Sequence, residues 1–310
     1  MKKTNIVLSS FNGEKYIAEQ IESIIGQTYQ DWQLLIRDDG STDRTREIVK
    51  SYEQRDSRIR LINPETTENI GLVSSFYELV KSERADYYFF SDQDDVWLPE
   101  KLEVTLESLR KAKLSAMVYT DLKVVDAELN VVSESYLAPN PYINTSLKDQ
   151  ILTNNVVGGV SAINHALAEL WTTDQVFIHD WYLGLLAAAF GELIYLDLPT
   201  ELYRQHAANV VGANQKATTM QAIKEARQQS SGFLSNYWAY FDKIKQLNLA
   251  LLNSQGDKLS QEKRQLIEAF VSLDEASFFK RLKVFKFSRK NWRATVIFRL
   301  LYLTKLGRKS

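Results

Sequence analysis

Short apolar runs rich in Ile, Val, Tyr and Phe alternate with stretches of helical period through the first 120 residues, the pattern of βαβ units around a parallel sheet. Residues 5–9 read as a buried strand. After Asn12-Gly13, a turn and expected cap, Ile17, Ile21, Ile24 and Ile25 fall on one helical face. Leu34-Leu35-Ile36 makes a second strand, and Ser41 or Thr42 offers an N-cap, with Asp43 in the first turn and Ile48, Val49 and Tyr52 facing inward. A strand at 58–62 and a helix at 72–82 lead to Tyr87-Tyr88-Phe89-Phe90, which suits a strand covered on both faces. Pro99 fits the first position of a further helix. Past a strand at 117–120 the rhythm changes, and 122–125, a polar turn at 126–130 and Val131-Val132 predict a hairpin. From 215 onward the pattern is almost wholly helical. The expected organisation is therefore an α/β unit over 1–215 and a helical region over 216–310.

With 310 residues, 45% apolar and 25% charged, the chain is an ordinary globular protein. Cysteine is absent, which excludes a disulfide framework, a thiolate nucleophile and a thiolate zinc site and fits a reducing cytoplasm. The first strand is too short and too quickly interrupted for a secretory signal, and no run reaches the roughly 18 apolar residues of a membrane span. The net charge of −1 conceals an asymmetry: residues 280–310 hold 11 Lys or Arg and no Asp or Glu, leaving 27 basic against 39 acidic groups in residues 1–279. An acidic body argues against nucleic acid as a partner.

In open α/β sheets, ligands bind beyond the carboxyl ends of the strands. There the chain carries Ser9-Ser10-Phe11-Asn12-Gly13, Asp38-Asp39-Gly40-Ser41, Asn69-Ile70-Gly71 and Ser91-Asp92-Gln93-Asp94-Asp95. Three carboxylates within four residues repel one another unless a cation or a proton relieves them. With oxygen ligands and no thiolate, Mg²⁺ or Mn²⁺ is the expectation, shared with substrate phosphates. The plainer alternatives are an acidic turn capping the helix near Pro99 and an ordinary Asp-Asp-Gly turn. Neither a Gly-rich dinucleotide fingerprint nor a Walker A loop is present.

Together these four turns resemble the family 2 glycosyltransferases, nucleotide-sugar enzymes of the α/β GT-A fold that build bacterial envelope polysaccharides; the resemblance covers about residues 4–212. It implies donor binding by Ser9, Phe11, Asn12, Asp38, Asp39, Asn69 and Gly71, with Phe11 beside the base and Asp39 accepting the base N3–H. Asp92-Gln93-Asp94 looks like the family's DxD motif, with Asp94 on the metal and Asp92 near ribose and sugar or as a further metal ligand. The string from Ser91 to Leu102 is similar to the rhamnosyltransferase subgroup, which points to dTDP-L-rhamnose, although thymine and uracil differ only by a methyl group. His179-Asp180-Trp181 stands where the family places its base, so the resemblance assigns Asp180 to that role; the other reading of Asp180 is a helix N-cap. Contacts on the acceptor side fall to Trp97, His179 and Trp181. His206 matches a position that completes the metal site, and Arg204 is expected at the diphosphate. Ala207-Ala208-Asn209 departs from the Gly-Asn of many relatives.

The mechanism so implied is a single displacement with inversion onto a hydroxyl of a lipid-linked glycan. The same fold using a UDP-hexose or UDP-N-acetylhexosamine, and a catalytically silent sugar-binding subunit, are the other functions weighed. The basic, aromatic-rich segment 280–310 predicts an amphipathic element on an anionic membrane surface, hence peripheral attachment to the inner face of the cell membrane. Packing on the acidic body or in a homodimer is its alternative.

Overall fold

The computed structural model describes residues 2–137, 145–206, 233–275, 277–289 and 292–308. The chain divides into two compact units, Met1–Thr145 with Asn155–Val210, and Ser146–Asn154 with Val211–Ser310. The boundary expected near Gln215 lies outside the described residues.

In the first unit, β1 (Thr4–Ser10), β2 (Gln33–Asp38), β3 (Ile59–Leu61) and β4 (Tyr87–Ser91) pair in parallel in the order β3-β2-β1-β4. The helices α1 (Ile17–Ile25), α2 (Thr45–Arg55) and α3 (Leu72–Ser82) are the crossovers. Ile6, Leu8, Ile17, Ile21, Leu34, Ile36 and Phe89 meet in one dry core. Trimming such a residue, Ile21→Val for example, costs about 0.5–1.5 kcal/mol. All five residues of β4 are buried, as a run of large apolar side chains requires.

Beyond β4 the sheet becomes mixed. After β5 (Val96–Trp97) and α4 (Lys101–Lys111) come β6 (Ser115–Val125) and β7 (Val131–Ser133), which form the predicted hairpin. The sheet path continues through β8 (Ser161–Asn164), antiparallel to both β4 and β6, and β9 (Gly191–Arg204), parallel to β6 and antiparallel to β5. The short α6 (His165–Leu170) and the longer α7 (His179–Phe190) connect these strands, while α5 (Leu147–Gln150) belongs to the second unit.

Three helix starts lie later than the sequence suggests. Tyr16 is the N-cap residue of α1. Asn12 sits at φ 48° and its carboxamide accepts from Thr42 N at 2.8 Å, so it braces the neighbouring loop and caps nothing. Helix α2 starts at Thr45, whose N–H donates to Asp43 at 3.0 Å; Ser41 and Thr42 remain in the loop. Pro99 precedes α4 by two positions.

The second unit holds α8 (Phe233–Gln255), α9 (Gln261–Val271), α10 (Phe278–Arg281) and α11 (Trp292–Thr304). Phe241, Phe298 and Tyr302 make its aromatic centre, with ring centroids 4.9–5.4 Å apart. Among the described residues, no helix is long and apolar enough to cross a membrane.

Candidate active site

The carboxyl ends of β1 and β2 are laced together by side chains acting on backbone. Asn12 N donates to Ser41 Oγ, and Gly13 N to Thr45 Oγ1, both at 2.8 Å. Asp38 is fully buried and accepts from Ser41 Oγ at 2.5 Å, from Ser41 N at 3.1 Å and from Arg46 at 3.3 Å. Asp39 accepts from Arg37 at 2.5 Å, Ile70 N at 2.8 Å and Gly71 N at 2.9 Å. These bonds hook the Asn69-Ile70-Gly71 turn onto β2. A carboxylate offers about four lone-pair sites, so Asp39 retains room for one further donor. Gly40, at φ 87°, brings the turn so close that a Cβ there would lie 2.8 Å from Thr67 O. Ser9 is buried at the end of β1, Asn69 is exposed, and Phe11 stands 47% exposed at the rim.

The acidic turn after β4 is tied to the first by Gln93, whose carboxamide accepts from Phe11 N at 2.9 Å and donates to Phe11 O at 3.0 Å. Behind it lies a buried charge cluster. Lys101 Nζ lies 2.5 Å from both Glu201 Oε2 and Gly159 O. Burial, and then the charges of Asp94, Glu201 and Asp180, push the Asp92 carboxyl well up, with Lys101 opposing. Asp95 is raised by burial and then by Glu201, Asp94 and Asp92, and burial pushes the Lys101 ammonium down while Glu201 pulls it back. One ammonium thus faces more carboxylates than it can neutralise. The Gly158-Gly159 backbone closes over them: a Cβ on Gly159 would lie 2.9 Å from Glu201 Oε1 and 3.1 Å from Asp92 Oδ2.

At the far end of β9, His206 Nε2 meets Asp94 Oδ2 at 2.9 Å. The His206 ring stacks on the Tyr16 ring at 4.8 Å, and the Arg204 guanidinium lies over the Tyr16 ring at 4.5 Å. Arg204 is 2% exposed and turned toward protein: Nε donates to Asp94 O at 2.9 Å, Nη1 to Ala127 O at 2.7 Å, and Nη2 pairs with Glu19. It fixes the acidic turn from behind, where the sequence places it at a diphosphate.

Asp180 sits in the first turn of α7, where the helix N-terminus favours a negative charge. The N-cap residue is Ile178, so the cap reading of Asp180 does not hold. The Asp180 carboxylate accepts from Trp181 N. Its charge raises both Asp92 and Tyr136, which puts the three groups in one electrostatic neighbourhood. His179 is buried against Phe76, Phe90 and Trp171, with centroids 4.5, 5.2 and 6.4 Å away, and burial depresses its pKa to about 3. Trp97 is buried under the Lys101 ammonium at 4.0 Å, and Trp181 packs on Phe177. All three residues expected to face an acceptor are therefore less than 5% exposed.

The chemistry of this donor set suits a hard cation: an oxygen and an imidazole nitrogen from Asp94 and His206, backed by an excess of carboxylate. No group of three or more His, Asp or Glu side chains gathers around a point among the described residues. Sequence reading missed Arg37, Lys101, Glu201 and Tyr16. For Arg37 and Glu201 the signal was a charged residue inside a largely apolar strand.

Residues 5–171 match the profile of glycosyl transferase family 2. The dTDP-rhamnosyl transferase RfbG of Shigella flexneri is 30% identical over 245 residues, 74% of this chain and 80% of its own length. The UDP-Glc:alpha-D-GlcNAc-diphosphoundecaprenol beta-1,3-glucosyltransferase WfgD of Escherichia coli is 30% identical over 58% of this chain and 68% of its own. Among solved structures, S. aureus TarS 1-349 in complex with UDP-GlcNAc superposes with a TM-score of 0.55 at 16% identity, over 93% of this chain and 74% of that one. The mannosyltransferase PcManGT from Pyrobaculum calidifontis, in complex with GDP-Man and Mn²⁺, gives 0.54 at 14% identity, over 99% and 88%.

Proposed function

Because the chain belongs to glycosyl transferase family 2 and carries the GT-A fold, we propose that it moves L-rhamnose from dTDP-L-rhamnose to a hydroxyl of a lipid-linked envelope polysaccharide precursor, with inversion. The observation that carries this reading is the Asp94–His206 contact beside Asp92, a carboxyl on which the charges of Asp94 and Asp180 both act. The rhamnose donor is supported by the similarity to RfbG, and the setting this reading implies is the cytoplasmic face of the cell membrane, where a lipid-linked acceptor would lie.

In this reading Asp180 is the general base. It takes the proton of the acceptor hydroxyl as that oxygen bonds to the anomeric carbon, while the bond from that carbon to the phosphate oxygen breaks and dTDP leaves with the electron pair. Its place in the first turn of α7 and the bond it accepts from Trp181 N support that role. Asp94 and His206 would hold Mn²⁺ or Mg²⁺, which supplies charge stabilisation at the leaving diphosphate. Arg204, Tyr16 and Gln93 position these groups from behind. Phe11, exposed at the rim, is available to stack on the base, and Asp39 keeps one acceptor site for its N3–H.

The test is release of nucleoside diphosphate from a panel of dTDP- and UDP-sugars with Mg²⁺ or Mn²⁺ and a lipid-linked acceptor, with Asp180→Asn as control. Acceptor-dependent release from dTDP-rhamnose, reduced about 10²–10⁴-fold by Asp180→Asn, is the expected result. Release from a UDP-sugar instead keeps the mechanism and discards rhamnose, an outcome that the similarity to WfgD keeps in the panel. Wild-type rate in Asp180→Asn removes Asp180 from the chemistry.

A further inference from the structure

The basic carboxyl-terminal segment is not a single amphipathic helix. It folds as α10, a 3₁₀ turn at Leu282–Lys286 and α11, and one side of it is core: Val284, Phe287, Phe298, Leu301 and Tyr302 are buried. Phe287 packs on Phe270 at 5.6 Å and Tyr302 on Trp238 at 5.1 Å. The segment is pinned further by its own cations. Arg281 donates to Tyr302 O at 3.2 Å and Leu303 O at 2.6 Å, and Arg299 to Phe287 O at 3.0 Å.

Much of what the segment exposes is apolar as well. Phe278, Leu282, Phe285 and Leu300 are exposed, Trp292 is 71% and Phe279 80% exposed. In α11, Trp292, Val296 and Leu300 recur every four residues on a stripe distinct from that of buried Phe298, Leu301 and Tyr302. A helix apolar on both faces needs an apolar environment on both. Between these side chains stand Lys283, Lys286 and Arg293, all exposed and in no ion pair among the described residues. No acidic residue occurs from 280 to 310.

We infer that this face is a preformed docking surface for an anionic lipid bilayer, with Phe279, Phe285 and Trp292 entering the interface and Lys283, Lys286 and Arg293 lying at the headgroups. Charge and apolarity together select the occupant: a second copy docked by this same face would bring the same uncompensated cations against these, whereas an anionic bilayer neutralises the cations and also receives the exposed aromatics. Because the aromatics are held by a folded scaffold, inserting them orders little additional chain. The inference shares with the proposed function only the membrane-borne acceptor, and its test needs neither donor nor acceptor.

The experiment is co-sedimentation of the full chain with vesicles of phosphatidylcholine alone or with about 30 mol% of the anionic phosphatidylglycerol added, read together with Trp emission. Preferential binding to the anionic vesicles with a blue shift is expected. Lys283→Gln/Lys286→Gln/Arg293→Gln should lower the partition coefficient about 100-fold, and Phe279→Ser/Trp292→Ser should remove the blue shift; both sets are surface changes, and circular dichroism checks the fold. Equal binding to neutral and anionic vesicles, or none, overturns the inference. So does a concentration-dependent dimer in sedimentation velocity that Phe279→Ser dissolves while vesicle binding is absent. Loss of transfer with vesicle binding intact would instead strike the enzymatic reading alone.

Discussion

Replacing Lys101 with Met is the sharpest probe of how the acidic site is held. Lys101 and Glu201 face each other at 2.5 Å with side chains 1% and 0% exposed, so neither charge is solvated by bulk water. Removing one partner of such a pair strands the other and costs about 3–5 kcal/mol. Here Asp92 and Asp95 also face the ammonium, which places Lys101→Met in the upper half of that range, about 4–5 kcal/mol. Glu201→Gln leaves the ammonium with Gly159 O and the remaining carboxylates and should cost less, about 1–3 kcal/mol. The double change removes both charges with little loss of volume and should recover at least about 2 kcal/mol relative to Lys101→Met. Hydrogen exchange of the β4 and β9 amides measures this in the sheet unit alone. If Lys101→Met falls within about 1 kcal/mol of the parent, or the double variant is as unstable as the two singles summed, the pair does not hold the cluster.

Asp94→Ala is expected to abolish Mn²⁺-dependent donor binding by calorimetry, and Tyr16→Leu, behind the His206 ring, to weaken it about tenfold; an unchanged isotherm for Asp94→Ala refutes the ligand role. His179 titrates at about 3 in the fold, far below the ordinary imidazole value of 6.5. The unfolded chain therefore takes up the proton first, and stability is complete above pH 6.5 and lost as pH falls toward 3, by about 1.4 kcal/mol at pH 5.5. His179→Leu should flatten that part of the pH profile of urea midpoints, and an unchanged slope would show that another group sets it. In Gly13→Ala, the new Cβ would run into the Gln93 carboxamide and break its two bonds to Phe11, for about 1–2 kcal/mol and a raised donor KM. Gln93→Ala should do the same, and the double variant should be no worse than Gln93→Ala; additive losses would separate the two residues.

The parallel half of the sheet was legible because its strands are short apolar runs and their turns carry the polar chemistry. Residues 72–82 were expected as a helix, and the structure has Leu72–Ser82. Helix starts were misplaced where a capping side chain had a stronger claim elsewhere: Ser41 Oγ serves Asp38 and Asn12 N, so it cannot also begin α2. The mixed half was harder, because the pairing of β8 with β4 and β6 depends on partners far apart in sequence. The same distance hid the charge cluster, since Lys101 and Glu201 are 100 residues apart and neither belongs to a turn motif.

The site residues separate by what surrounds them once folded, which spacing along a chain does not encode. Arg204 follows a strand next to the acidic turn, and a guanidinium there can face either a ligand or the backbone that holds the ligand's partners. The fold gives it Asp94 O, Ala127 O and Glu19 as acceptors, and that decides for the backbone. Trp97 and His179 follow the same logic: each lies beside a functional carboxylate or cation in sequence, yet each is buried as the surface on which that group rests. The first layer of this site is thus a small set of carboxylates and one imidazole, and the layer behind it is cationic and aromatic. A carboxylate cluster of this density needs such backing, because its members otherwise protonate or move apart before a cation can be bound.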